Sequence, residues 1–379
     1  MKRSLLAMAV LAAFAGGASA QSSVTIGGIV DLAVRNVENK PFGRLSTLSP
    51  EGMQSNRLIV RAVEDLGGGL RAGFWLEAAI SPDNGGGTAS TGANAAAGGL
   101  TWARRSTLSL IGPFGEIRLG RDYTPTFWNH TLFDPFNTVG VAAQTNLHNG
   151  ANPLGSGAST FTRANNTVAY FLPPLGGLYG QVTYAFDEVG GAPNAALPAF
   201  PIVGATLPIA ASNPAAAGGV YNEYYGGRIG YAAGPVNVAV AYGVTVKNGG
   251  MVDDLNALNV GGSFNIGFMT LIFQYHTYEY GAREQENFMG AFTIPFGANT
   301  VKFSYGESRK FREATQIGVG YQYDLSKRTA LYANASQVDN EFGSNYTASG
   351  SGYAVQGPNT GNPTGFKSTG VEFGVRHAF

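Results

Sequence analysis

The 379-residue chain has no cysteine. A disulfide framework, a thiol nucleophile and a thiolate metal site are thereby excluded. Neither sign of charge is in excess, with 24 basic and 24 acidic residues. A nucleic-acid binder would carry a basic surplus, so no nucleic-acid partner is expected. Long apolar runs are also missing. Residues 192–220 come nearest, but Pro193, Pro198, Pro201, Pro208 and Pro214 interrupt them, which argues against membrane-spanning helices. The four histidines, His130, His148, His276 and His377, lack HExxH or any other ligand spacing, and no Gly-x-Ser-x-Gly elbow occurs. An enzyme, a resident metal and a cofactor are therefore not expected. His130 reads as a polar loop residue or a titratable pore-lining group.

What is present begins with residues 1–20. Lys2 and Arg3 precede an apolar stretch over 5–14 and the small-residue run Ala18-Ser19-Ala20. This is the layout of a cleaved secretory signal peptide, and its apolar stretch is too short to span a bilayer. The expected mature chain is 21–379, with a net charge of −2 once Lys2 and Arg3 are gone.

Glycine (55 residues) is abundant, as are tyrosine (18) and phenylalanine (23). The combination suits aromatic-rich strands with glycine at turns and close approaches. Period-2 alternation recurs. Val24, Ile26, Val30, Leu32 and Val34 share one parity, and Leu58 and Val60 oppose Arg57 and Arg61. A half-buried strand of a soluble sandwich alternates likewise, so the joints decide. Short turns, such as residues 112–115 and 234–235, alternate with long connections at 36–53, 81–99, 120–163, 189–221 and 339–366. One trimmed rim and one elaborate rim is the asymmetry of a transmembrane β-barrel. The segments number about sixteen. The predicted fold is an all-β, 16-stranded antiparallel transmembrane barrel that closes to leave no unpaired edge in lipid.

The third long connection carries Tyr123, Phe127, Trp128, Phe133 and Phe136, too apolar for a solvated tip. A structureless connection of that length is usually functional, and we expect residues 123–162 to fold inward as a constriction loop. Parity then turns Arg57, Arg61, Arg105 and Arg118 towards the lumen, while the side faced by Arg163 stays open. Asp122 and Asp134 are the acids of the loop stretch. A basic wall against an acidic loop predicts a transverse field with weak anion preference.

Several segments are together highly specific. SNRLIVRAVEDLGGGLRAGFWLEA (55–78), RRSTLSLIGPFGEIRLGRDYTP (104–125), RANNTVAYFLPPLGGLYGQVTYAF (163–186), YDLSKRTALYANAS (323–336) and the terminal GVEFGVRHAF resemble the Gram-negative trimeric porins, most of all those of β-proteobacteria. The resemblance covers essentially the whole mature chain. It implies an outer-membrane homotrimer in contact with lipid, passing small hydrophilic solutes and inorganic ions by passive diffusion. It maps constriction arginines onto Arg57, Arg163 and Arg105, and the loop carboxylate onto Asp134. Thr107 stands where the family has a second basic position, and Pro135-Phe136-Asn137 replaces a second loop acid. Phe379 fits the terminal phenylalanine read by the insertion machinery.

Two other functions are compatible with the sequence. In a substrate-specific channel, Tyr123, Phe127 and Trp128 would form a binding slide; their plainer role is to anchor the loop. In an adhesin or display barrel, the Ala/Pro-rich stretch 189–220 would carry the function.

Overall fold

The computed structural model describes residues 23–87, 99–148, 153–187, 223–247, 251–348 and 364–379. The expected signal peptide and the Ala/Pro-rich stretch 189–220 lie outside these residues. No helix among them is long and apolar enough to cross a membrane.

Seventeen strand segments form one sheet. They are β1 (Ser23–Lys40), β2 (Gly43–Pro50), β3 (Arg57–Gly67), β4 (Leu70–Ala79), β5 (Arg105–Gly112), β6 (Gly115–Tyr123), β7 (Arg163–Phe171), β8 (Leu178–Ala185) and β9 (Tyr224–Ala233), followed by β10 (Val236–Thr245), β11 (Leu255–Asn265), β12 (Thr270–Tyr280), β13 (Arg283–Phe296), β14 (Asn299–Lys310), β15 (Ala314–Asp324), β16 (Thr329–Asn340) and β17 (Lys367–Ala378). From β3 to β17 each strand pairs antiparallel with the next. β1 closes the ring. One edge pairs with β17, from Ile29 opposite Ala378 to Lys40 opposite Lys367. The other edge takes β3 along residues 23–29 and β2 along residues 32–39. β2 and β3 are thus successive lengths of one wall position, and the closed barrel has sixteen positions.

The long connection expected at 36–53 is instead a hairpin. β1 runs on to Lys40, and β2 returns after two residues. Its polar residues, Arg44, Ser46 and Thr47, alternate with nothing that marks a buried face, so the stretch reads as loop although its backbone pairs with β1. The break at 51–56 is stitched to β1. Asp31 Oδ2 accepts from the amides of Met53 (2.8 Å) and Gln54 (2.6 Å), and Asn56 Nδ2 donates to the Asp31 carbonyl at 2.9 Å. β5 begins at Arg105, so Trp102 lies outside the strands.

The barrel is apolar outside and polar inside. Leu108, Val182 and Phe373 are 59%, 60% and 70% exposed, as are alternate residues along β6, β10 and β15 to a lesser degree. Their neighbours Thr107, Ser109, Arg118, Gln181 and Glu372 are buried. Only a hydrocarbon surround makes that arrangement favourable, because a water-soluble body would place the two sets the other way round. One rim has short turns, with positive φ at Gly68, Gly234 and Gly297. The other carries the long connections.

Candidate pore constriction

The longest described connection on that rim leaves β6 at Tyr123 and returns at Arg163. A short helix, α1 (Pro125–Leu132), starts it, with proline in the first turn and Thr124 as N-cap. Thr124 Oγ1 also donates to the Phe161 carbonyl at 3.1 Å, tying the two ends of the loop together. The helix lies against the inner face of the wall. Asn129 Nδ2 donates to Asn259 Oδ1 (2.6 Å), and Asn259 Nδ2 to the Thr126 carbonyl (2.7 Å). The ring of Phe133 sits directly on Gly261, where any Cβ would collide with it.

Residues 133–148 then cross the inside of the wall and are buried almost throughout. Their peptide groups are taken up by inward polar side chains. Asn287 Nδ2 reaches the Leu147 carbonyl (2.9 Å), Gln316 Nε2 the Ala143 carbonyl (3.1 Å), and Glu372 Oε1 accepts from the Val141 amide (3.3 Å). A loop placed in a barrel needs such partners, because its buried backbone cannot otherwise be satisfied. Asp134 is likewise buried. It accepts from the amides of Phe136 (2.8 Å) and Gln144 (3.1 Å), and burial pushes its carboxyl up to about 6.

Across the lumen, the inner face of β3 to β9 carries a belt of arginines. Arg61 and Arg105 both lie over the Trp75 indole, at 5.0 and 4.6 Å from its ring centre. Glu77 accepts from Arg57 (3.1 Å) and Arg104 (2.7 Å). Asp122 holds Arg118 (2.6 Å) and, more loosely, Arg105 (3.7 Å), while Glu116 also holds Arg118 (2.8 Å). Arg163 covers the Tyr123 ring at 4.4 Å and donates to its hydroxyl at 3.0 Å, as Arg104 does at 3.2 Å. Arg228 lies 5.5 Å from the rings of both Trp128 and Tyr179. A cavity of about 380 Å³ opens beside Arg61, Trp75, Arg105, Ser109, Glu116 and Arg118.

A family model described as Gram-negative porin matches residues 7–343. The chain belongs to the Gram-negative porin family. Outer membrane porin protein 32 of Delftia acidovorans is 36% identical to this porin, with all of both chains covered. A Bordetella pertussis outer membrane porin is 27% identical over the whole of both. Among solved structures, the anion-selective porin from Comamonas acidovorans superposes with a TM-score of 0.74 at 32% identity, covering 95% of this chain and all of that one. An outer membrane protein of Vibrio cholerae in its trimer form matches at 0.59 and 13% identity, which speaks to the fold alone. The porin is accordingly an outer-membrane channel.

The structure sets Arg57, Arg61, Arg105, Arg118 and Arg163 on one inner arc of the porin wall. It places Asp122 on the wall and leaves Asp134 buried within the loop. Asp122 belongs to β6 and is paired with the arginines themselves. Asp134 is 5% exposed and faces its own loop's amides. One carboxylate thus lies among the arginines of the wall, and the other is engaged by amides of its own loop. Tyr123 and Trp128 pack on each other at 5.1 Å and beneath arginines, which favours anchoring over a binding slide. Thr107 accepts from Arg105 Nε at 3.1 Å.

Sequence reasoning missed Arg104 and Arg228. Arg104 precedes its strand, and Arg228 sits in the glycine-rich run YYGGRIGY, where parity has too few apolar markers. Of the two readings of His130, the structure keeps the loop residue. His130, His148 and His276 converge and are each 2% exposed, so His130 does not line the pore.

Proposed function

We propose that this porin is a general-diffusion channel with a weak anion preference, that it works as a homotrimer, that residues 1–20 are removed on export, and that its aperture lies between the arginine arc and the loop at 123–162. The charge inventory of the arc carries the selectivity reading. Seven guanidinium groups (Arg57, Arg61, Arg104, Arg105, Arg118, Arg163 and Arg228) face three carboxylates, Glu77, Glu116 and Asp122. Among the described residues, Arg61, Arg163 and Arg228 have no carboxylate within 4.0 Å. A fixed positive surplus beside a water-filled path raises the local anion concentration and lowers that of cations. The similarity to a porin described as anion-selective supports the same sign, and the trimer form of a structural neighbour supports the assembly.

The test is the reversal potential of single channels under a salt gradient. The triple variant Arg61→Gln/Arg163→Gln/Arg228→Gln should reduce the anion-to-cation permeability ratio. A unit charge about 4 Å from an ion's path is worth about 1 kcal/mol in water, roughly a fivefold effect per charge. An unchanged reversal potential overturns the proposal. Solute-saturable current in the unmodified channel would favour a substrate-specific pore instead.

A further inference from the structure

Three of the four histidines come from distant parts of the chain and meet inside the barrel. His130 lies in the last turn of α1, His148 ends the 3-10 turn Gln144–His148, and His276 points inward from β12. Their ring centres are 4.7, 4.8 and 4.9 Å apart. One nitrogen from each lies within 4.8 Å of the others. An ion at the centre of a triangle with sides of that length is about 2.8 Å from each corner. Each ring then has to close by roughly 0.7 Å to make a zinc–imidazole bond of about 2.1 Å.

Two facts distinguish this cluster from a set of satisfied core histidines. First, Nε2 of His130 and Nε2 of His148 are buried and have no hydrogen-bond partner. A buried polar atom left unpaired is costly and calls for an explanation. Second, the outer contacts suit ligation. Tyr278 Oη is 3.0 Å from His148 Nδ1, so the ring proton of His148 can reside on Nδ1, donated to that hydroxyl, while Nε2 offers its lone pair. Gln274 is held by its Nε2 donating to the His130 carbonyl (3.0 Å), which aims its Oε1 at His276 Nε2, 2.6 Å away. Cavities of about 10 Å³ border His130 and His276 on one side and His148 on the other.

We propose that His130, His148 and His276 form a binding site for a divalent transition-metal ion of the zinc class, which clamps the constriction loop to the barrel wall. Three imidazoles with neither thiolate nor carboxylate select zinc, cobalt, nickel or copper over calcium and magnesium. Water supplies the remaining position. Two ligands belong to the inward loop and one to the wall, so the ion joins the two parts that define the aperture. The inference is independent of the channel's selectivity.

The test uses the full-length, tag-free porin in detergent, stripped with chelator and titrated with Co²⁺ both after folding and during refolding. One equivalent per chain should bind, with the visible absorption of tetrahedral cobalt, and Zn²⁺ should displace it. His130→Gln, His148→Gln and His276→Gln should each weaken binding at least about a hundredfold, whereas His377→Gln, at an exposed position outside the cluster, should not. The wild-type titration is decisive even where a variant folds poorly. The proposal is overturned by the absence of stoichiometric cobalt binding in both protocols, by binding retained in all three cluster variants, or by binding lost in His377→Gln.

Discussion

Glu77 illustrates how single residues divide the work in the arginine arc. It is the one carboxylate shared by Arg57 and Arg104, and it is 7% exposed. Glu77→Gln leaves two half-buried or buried guanidinium groups facing each other, and stranding buried charge typically costs about 3–5 kcal/mol. Thermal unfolding in detergent should show Glu77→Gln more destabilised than Arg57→Gln, which leaves Glu77 with Arg104. Asp134 gives a pH signature. Its carboxyl is raised from 3.8 to about 6, so the unfolded chain gives up this proton before the folded one does. The stability it contributes is full below pH 4, is lost as pH rises to 6, and is absent at 7. The melting temperature of the wild type minus that of Asp134→Asn should therefore be larger at pH 4 than at pH 7. Residues of this kind were unevenly legible. Arg57, Arg61, Arg105 and Arg118 could be placed on a face because apolar neighbours of opposite parity flank them. The histidines could not, because ligand spacing is a local signal, and these three are separated by 18 residues at the least and are joined only by the curvature of the wall.

At the level of elements, the inward loop could be recognised from the sequence by what it lacked, a sustained period over forty residues. Its footing could not be recognised. Polar residues on the inner faces of β11 to β17 read simply as lumen lining, yet Asn259, Asn287, Gln316 and Glu372 are buried partners of the loop backbone. The glycines at loop contacts carry no sequence mark either. Gly261 is required because the Phe133 ring occupies the space of its side chain. Gly261→Val should displace the start of the loop and appear as irregular, stepwise current in bilayer recordings, where the wild type is steady. Deleting residues 135–143 should enlarge the unitary conductance; a smaller or unchanged value would mean that this stretch does not narrow the pore. The missed hairpin of β1 and β2 has a different cause. β2 is exposed along most of its length, so no buried face imposes the alternation by which strands are found.

For the molecule as a whole, fold class was the most legible feature, because alternation, aromatic-rich strands and two unequal rims all follow from the single demand that a wall face hydrocarbon outside and water inside. That demand also makes the seam between β1 and β17 critical. Residues 29–40 pair with residues 367–378, and Phe379 exchanges backbone hydrogen bonds with Gly28 at 3.1 Å. The first strand delivered by the ribosome finds its outer partner only when the last one arrives. Until then two bare ladders, on β1 and β16, must be shielded from the bilayer, since each unpaired peptide group there costs several kcal/mol. Assembly is thereby a checkpoint on chain completion: a product stopped short of residue 367 has no way to zip shut and should be left to proteases, never reaching the membrane as a leaky half-pore.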